Sequence, residues 1–171
     1  LLRRAPLPIL VTPAEWSPAS PTTQDLSGTG PIIAAVDFSA AAVEAAKAAC
    51  RLAATLHTTL DIVHVVSEPP VHLRWRMHAE TAVRARAAAA RTQLDAVAAL
   101  VACTVPVQLR LETGAVPSRL ADAAAFSGSR GAILVLGRRE PGERGGPPGS
   151  TAYRVLTQAK VPMLLYVREE A

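Results

Sequence analysis

Lysine is almost missing from this chain. Lys47 and Lys160 are the only two, so arginine carries nearly all of a formal charge of +4. Aromatic residues are just 4% of the sequence. A nucleic-acid surface needs a basic stripe with stacking rings between the charges. The densest basic stretch, Arg74, Arg76, Arg84, Arg86 and Arg91, has only Trp75 among it. It reads as the solvated face of a helix, and no nucleic-acid partner is expected.

Cysteine is also scarce. Cys50 and Cys103 sit in Ala/Val-rich surroundings with no CxxC and no Cys/His cluster at zinc spacing. The default reading is a pair of buried, reduced thiols in a cytoplasmic protein, with a disulfide as the alternative. No apolar stretch approaches the roughly 20 residues of a membrane span. Leu1–Val11 is broken by Pro6 and Pro8 and makes a poor signal peptide. Familiar chemistry motifs are missing too: no Gly-Lys-Ser/Thr, no G-x-G-x-x-G after the first strand, and no Ser/His/Asp or Cys/His constellation. His72 and His78 have no partners at metal spacing. The expectation is no catalytic residue and no metal site.

What is present is a regular alternation of strand and helix patterns. Half of the residues are hydrophobic, alanine above all, which suits one core in which helices lie close to a sheet. Ile32–Val36 is a continuous apolar run, and Ser39 can cap a helix through about Leu56 with Val43, Ala46, Cys50 and Ala53 on one face. Leu60–Val66 is the next strand. A loop from Ser67 to Met77 leads to a long helix, about Ala79–Ala102, with Val83, Ala87, Ala90, Leu94, Val97 and Val101 in one stripe.

Val105–Glu112 alternates apolar and polar residues, so one face is wet and an edge position is expected. A short helix from Pro117 to Phe126, a strand Ala132–Leu136, a helix from Ser150 to about Gln158 and a strand Met163–Val167 complete the series. Such alternation predicts an α/β fold, a doubly wound five-stranded parallel sheet with helices on both faces. Ile32–Val36 and Ala132–Leu136 are apolar on both faces and therefore central. If they flank the point where strand order reverses, Asp37 and Gly137 face one crevice at the strand ends.

That crevice has anion-binding character. The strand Ala132–Leu136 stops at Gly137, a Gly/Pro/Arg-rich loop with Arg138, Arg139 and Arg144 follows, and Gly149-Ser150-Thr151 opens a helix. Backbone N–H groups converge on an anion in such an arrangement. Each residue also has a plainer reading. Asp37 can be a carboxylate that favours a helix N-terminus, Ser150 and Thr151 ordinary caps, and His64 a satisfied core histidine.

The chain also repeats itself. Leu2, Ala5, Pro8 and Leu10 return as Leu156, Ala159, Pro162 and Leu164. The expectation is that residues 1–13 are the last strand of a preceding, similar domain, residues 14–31 a linker, and residues 32–168 the domain proper. Met163–Val167 is apolar on both faces, and an exposed edge of that kind invites association. Something should cover it: Leu7–Thr12 in an antiparallel sense, or the same strand of a second subunit.

With these residues in hand, Ile32–Val167 resembles the universal stress protein family. The likeness rests on Val36-Asp37-Phe38-Ser39, on Leu60–Val66 with His64, and on Gly114 with Leu120 and Ala123. It continues in Ile133–Gly137, Gly149-Ser150, Val155, Ala159, Pro162 and the last strand. The resemblance implies a stress-response module of the adenine nucleotide alpha hydrolase-like type, often in tandem or dimeric through the last strand. One branch binds ATP with Gly-x2-Gly-x9-Gly-Ser/Thr, and another lacks the motif. Here Glu140 stands at the second glycine, and Gly149-Ser150 arrives one residue early.

Carried over by position, Asp37 and Ser39 would lie beside the nucleotide. Backbone groups near Val36 and Val65 would line adenine and ribose. Gly137, Gly149, Ser150 and Thr151 would hold phosphates, with Arg138 nominated on charge. ATP, with Mg2+, or AMP is the implied ligand. The alternative is a domain that binds no nucleotide and acts by self-association.

Overall fold

The apolar runs become strands and helices in the expected order. The structure is a computed structural model and describes residues 7–14, 30–67, 76–126, 132–138 and 150–167, with side chains for all of these except 76–80, 126 and 150. The elements are β1 (Ile9–Val11), β2 (Ile32–Ala35), α1 (Ala40–Thr55), β3 (Leu60–Val66), α2 (Arg76–Val101), β4 (Val107–Thr113), α3 (Val116–Phe126), β5 (Ile133–Gly137), α4 (Ser150–Leu156) and β6 (Met163–Tyr166).

The sheet order is β1-β6-β5-β2-β3-β4. Five strands are parallel, and β1 runs antiparallel to β6. From β2 the chain winds outward through β3 to β4, then returns to the other side of β2 with β5 and β6. Strand order therefore reverses between β2 and β5, the two strands whose apolar runs predicted a central place.

Two apolar layers sandwich the sheet. Ile32, Ala34, Leu60, Ile62 and Val135 meet α1 and α2 on one face. Ile33, Val63, Leu134, Met163 and Leu165 meet α3 and α4 on the other. Helix α1 lies close to the sheet because its inner face is Ala42, Ala45, Ala46, Ala49, Cys50 and Ala53, all buried. In α2 only Ala90, Leu94, Val97 and Val101 of the predicted stripe are buried, while Val83 and Ala87 are half-buried. The helix outruns the sheet it covers.

Strand β4 is an edge, as its alternation implies, but it starts at Val107 rather than Val105. The one clear correction to the sequence reading concerns the cysteines. Cys50 and Cys103 are not reduced thiols but a disulfide, with Cα atoms 5.6 Å apart. Helix α2 ends with Ala102 in the left-handed region (φ 45°), a place that normally suits glycine. That turn brings Cys103 against Cys50 of α1. Cross-linking positions 53 residues apart constrains the unfolded chain by about 4 kcal/mol in the chain-entropy account.

The last strand is covered within the chain. β1 pairs with β6 as Ile9↔Leu165, Leu10↔Leu164 and Val11↔Met163. The internal repeat equates Leu10 with Leu164, hence Ile9 with Met163 and Val11 with Leu165. The pairing is therefore symmetric about Leu10 and Leu164. It is the register two copies of β6 would adopt around a two-fold axis. Leu10 itself stays largely exposed.

Candidate functional site

The C-terminal ends of β2, β3 and β5 meet at the reversal of strand order. Beyond β2 the chain must turn sharply into α1. Asp37 takes the turn with its carboxylate Oδ1 accepting from Ser39 N–H at 3.0 Å and from the Ser39 hydroxyl at 2.5 Å. Phe38 between them is left-handed (φ 64°), a conformation that costs a bulky residue of the order of 1 kcal/mol. Ser39 Oγ then accepts from Ala42 N–H at 3.3 Å and caps α1.

The Phe38 ring is held against His64, with centroids 4.2 Å apart and planes tilted by 31°. His64 Nδ1 lies 2.7 Å from the Val36 carbonyl oxygen. A carbonyl can only accept, so Nδ1 donates this hydrogen bond. His64 thus has a structural task, locking the end of β3 to the turn after β2. It also takes up the Val36 carbonyl expected to line adenine. Val36 N–H is bonded to the Val63 carbonyl. The Val36 side chain belongs to the α1 layer and that of Val65 to the α3 layer, so only their backbones can meet a shared ligand.

Gly137 ends β5 directly over the first turn of α1. A Cβ there would lie 2.5 Å from the Ala41 carbonyl oxygen, 2.6 Å from its carbon and 2.8 Å from Ala42 N. Close backbone approach therefore requires this glycine whatever binds nearby. It brings Gly137 beside the Asp37–Ser39 turn, as the crevice reading anticipated. Arg138 follows, half-buried, its N–H donating to the Tyr166 carbonyl at 2.8 Å. Ser150 opens α4, and Thr151 is exposed on that helix. Gly149, Arg139, Glu140 and Arg144 lie outside the described residues.

The arrangement presents a carboxylate, a helix N-terminus and a close glycine at one end of the sheet. A carboxylate that accepts hydrogen bonds suits a ribose hydroxyl or a magnesium ion; the helix terminus suits an anion. The Ser39 hydroxyl is engaged on both sides, donating to Asp37 and accepting from Ala42 N–H at the start of α1. Among the described residues no group of three His, Cys, Asp or Glu side chains could hold a metal. No helix among them is long and apolar enough to cross a membrane.

Sequence reasoning missed one buried charge. Asp61, 5% exposed, lies at the opposite end of β3, 3.7 Å from Arg110, which also pairs with Glu112 at 3.3 Å. Burial pushes its carboxyl above the usual value, and Arg110 opposes that. A lone aspartate inside an apolar strand was the available signal. Its distance from the strand ends makes it part of the edge, not of the site.

A doubly wound sheet with a capped turn and a close glycine at its reversal point defines an open α/β domain with its crevice at the strand ends. A sequence model of the universal stress protein family matches residues 28–168, most of the chain. The chain belongs to the universal stress protein family. None of the curated proteins matches it.

Among solved structures, it is similar to the universal stress protein UspA from Lactobacillus plantarum, at TM-score 0.69 and 21% identity over 80% of this chain and 97% of that one. A universal stress protein in complex with cAMP matches at TM-score 0.59 and 15% identity over 81% and 97%. The protein PA1789 from Pseudomonas aeruginosa matches at TM-score 0.61 and 20% identity, over 98% of this chain but 54% of its own length. At these identities the likeness is one of fold.

Proposed function

We propose that this chain is a stress-response regulatory domain that binds an adenine nucleotide, ATP or AMP, at the strand ends beside Asp37. The observation that carries the reading is the junction of Asp37, Ser39 and Gly137 over the first turn of α1 at the reversal of strand order. The relative in complex with cAMP supports an adenine nucleotide in this fold. Asp37 and the backbone near Val36 and Val65 would take the nucleoside. Gly137, Arg138, Gly149, Ser150 and Thr151 would take the phosphates, and Mg2+ would accompany ATP at the Asp37 carboxylate. Binding would engage residues on both sides of the strand ends and so alter what a partner meets. A cytoplasmic address is part of this reading, and a fractionation blot checks it.

Isothermal titration with ATP, ADP and AMP, with and without Mg2+, is the test. Saturable heat that Asp37→Ala removes supports the proposal. No heat with any of the three overturns it.

A second reading rests on a different observation, the symmetric β1–β6 register. In this reading β1 is the counterpart of β6 from a preceding similar domain, and the chain works through association at this edge without a nucleotide. PA1789, whose chain is nearly twice the matched length, is consistent with a tandem arrangement. Sedimentation of the chain lacking residues 1–13 tests it: a shift to dimer is expected. An unaltered association state together with unaltered stability refutes it.

A further inference from the structure

The disulfide ties the helix that carries the site to the flank of the fold formed by α2 and β4. Cys50 lies on the inner face of α1, in the same layer as Ala46, Ala53, Leu94, Val97 and Val101. Cys103 follows the left-handed Ala102 and points back at it. Apart from this bond, β4 is held by its seven-residue ladder with β3, and α2 by its C-terminal half. α2 reaches the core through Ala90, Leu94, Val97 and Val101, and its Leu100 is 62% exposed. β4 has a neighbour on one side only. The two residues also differ in exposure: Cys50 is buried, whereas Cys103 is half-buried on the turn after α2.

We propose that Cys50–Cys103 is a reversible thiol–disulfide site, exchanged by an external dithiol and its disulfide, whose redox state decides whether the α2–β4 flank stays closed. An incoming thiolate attacks Sγ of Cys103, the more exposed of the two residues. The S–S bond breaks with its electron pair on Cys50 Sγ, which takes a proton. The second thiol of the reductant attacks the sulfur of its own mixed disulfide and releases Cys103 as a thiol. Two electrons and two protons enter the protein, and the dithiol leaves as a cyclic disulfide.

In the oxidised chain the bond limits the unfolded ensemble and pins α2 beside α1. In the reduced chain the flank loses that tie and is where local opening is expected, since β4 lies at the sheet edge and α2 packs on one face only. For a cytoplasmic chain, disulfides are characteristically transient and redox-sensing, and a stress-response domain has use for one. The proposal does not depend on nucleotide binding and stands or falls separately from it.

The test uses the whole chain in dithiothreitol redox buffers, with maleimide labelling to read the thiols and hydrogen-exchange mass spectrometry to read the backbone. The expected result is one reversible two-electron transition. On reduction, amide exchange should rise about tenfold or more in residues 76–113 and much less in β2 and β5, and Tm should fall by roughly 10 °C. Cys103→Ser, at a half-buried position, should show the reduced pattern in both buffers. Three results overturn the proposal: thiols that stay reduced in the oxidising buffer, a disulfide that dithiothreitol does not open in the folded chain, or exchange that rises equally in all strands.

Discussion

Replacing Gly137 by alanine separates what this glycine does for packing from what it does for a ligand. The added Cβ would meet three backbone atoms of α1 at 2.5 to 2.8 Å, well inside contact distance. Backbone cannot rotate away as a side chain would. Either α1 lifts or β5 bends by about 0.5–1 Å, which disturbs the buried inner face of α1 or the central strand β5. Overpacking of this kind costs about 1–3 kcal/mol, and a clash with helical backbone belongs at the upper end. With a urea slope near 2 kcal/mol/M, the unfolding midpoint should fall by about 1.5 M.

Urea denaturation followed by circular dichroism, without nucleotide, reads this directly. A midpoint within about 0.2 M of the parent would refute the close-approach argument. The same figure carries a warning for binding studies. Loss of nucleotide affinity in Gly137→Ala would report a displaced α1 as readily as a missing phosphate contact. Asp37→Ala is the cleaner probe of the site.

Three further outcomes follow from the geometry. Ser39→Ala removes the cap of α1 and a partner of Asp37, and thermal unfolding should show a loss of about 1 kcal/mol; no loss would mean that water replaces the cap. Asp61 holds its proton in the folded chain at pH values where the unfolded chain, with the ordinary value of 3.8, has released it. Its stabilising contribution is therefore full below pH 3.8 and lost as pH rises through the folded value. Asp61→Asn should gain stability relative to the parent as pH rises from roughly 3 to 7; a relative loss would mean that attraction to Arg110 outweighs burial. Phe38→Gly relaxes the left-handed turn but removes the ring from His64, and unfolding should show a net loss of about 1 kcal/mol or more; a gain would show that turn strain exceeds ring packing.

Much of the fold was legible because periodicity reports burial. Ile32–Val36 and Ala132–Leu136 are apolar on both faces, and only a strand with neighbours and helices all round keeps such a run dry. Val107, Leu109 and Leu111 alternate with Gln108, Arg110 and Glu112, which marked the edge. Met163–Tyr166 is apolar on both faces yet last in the sheet, so a cover was required, and β1 supplies it. The junction at the strand ends was legible in outline for the same reason, since strand order fixes where Asp37 and Gly137 emerge.

What stayed hidden depended on side chains meeting across elements. No spacing links Cys50 to Cys103 until α2 crosses back beside α1 and the left-handed Ala102 turns the chain. Asp61 and Arg110 become partners only through the β3–β4 register, which sets Arg110 against Val63 and diagonally from Asp61. His64 was read as a core histidine, but its bond to the Val36 carbonyl needed the turn at Phe38 to exist. Gly137 was chosen for phosphates by its place in a loop, and its contact with Ala41 came from the height at which α1 packs. Local pattern determined which residues are buried and in what order the strands lie. The pairings of sulfur, charge and ring were decided by three-dimensional approach, because contact between residues dozens of positions apart leaves no period in the sequence.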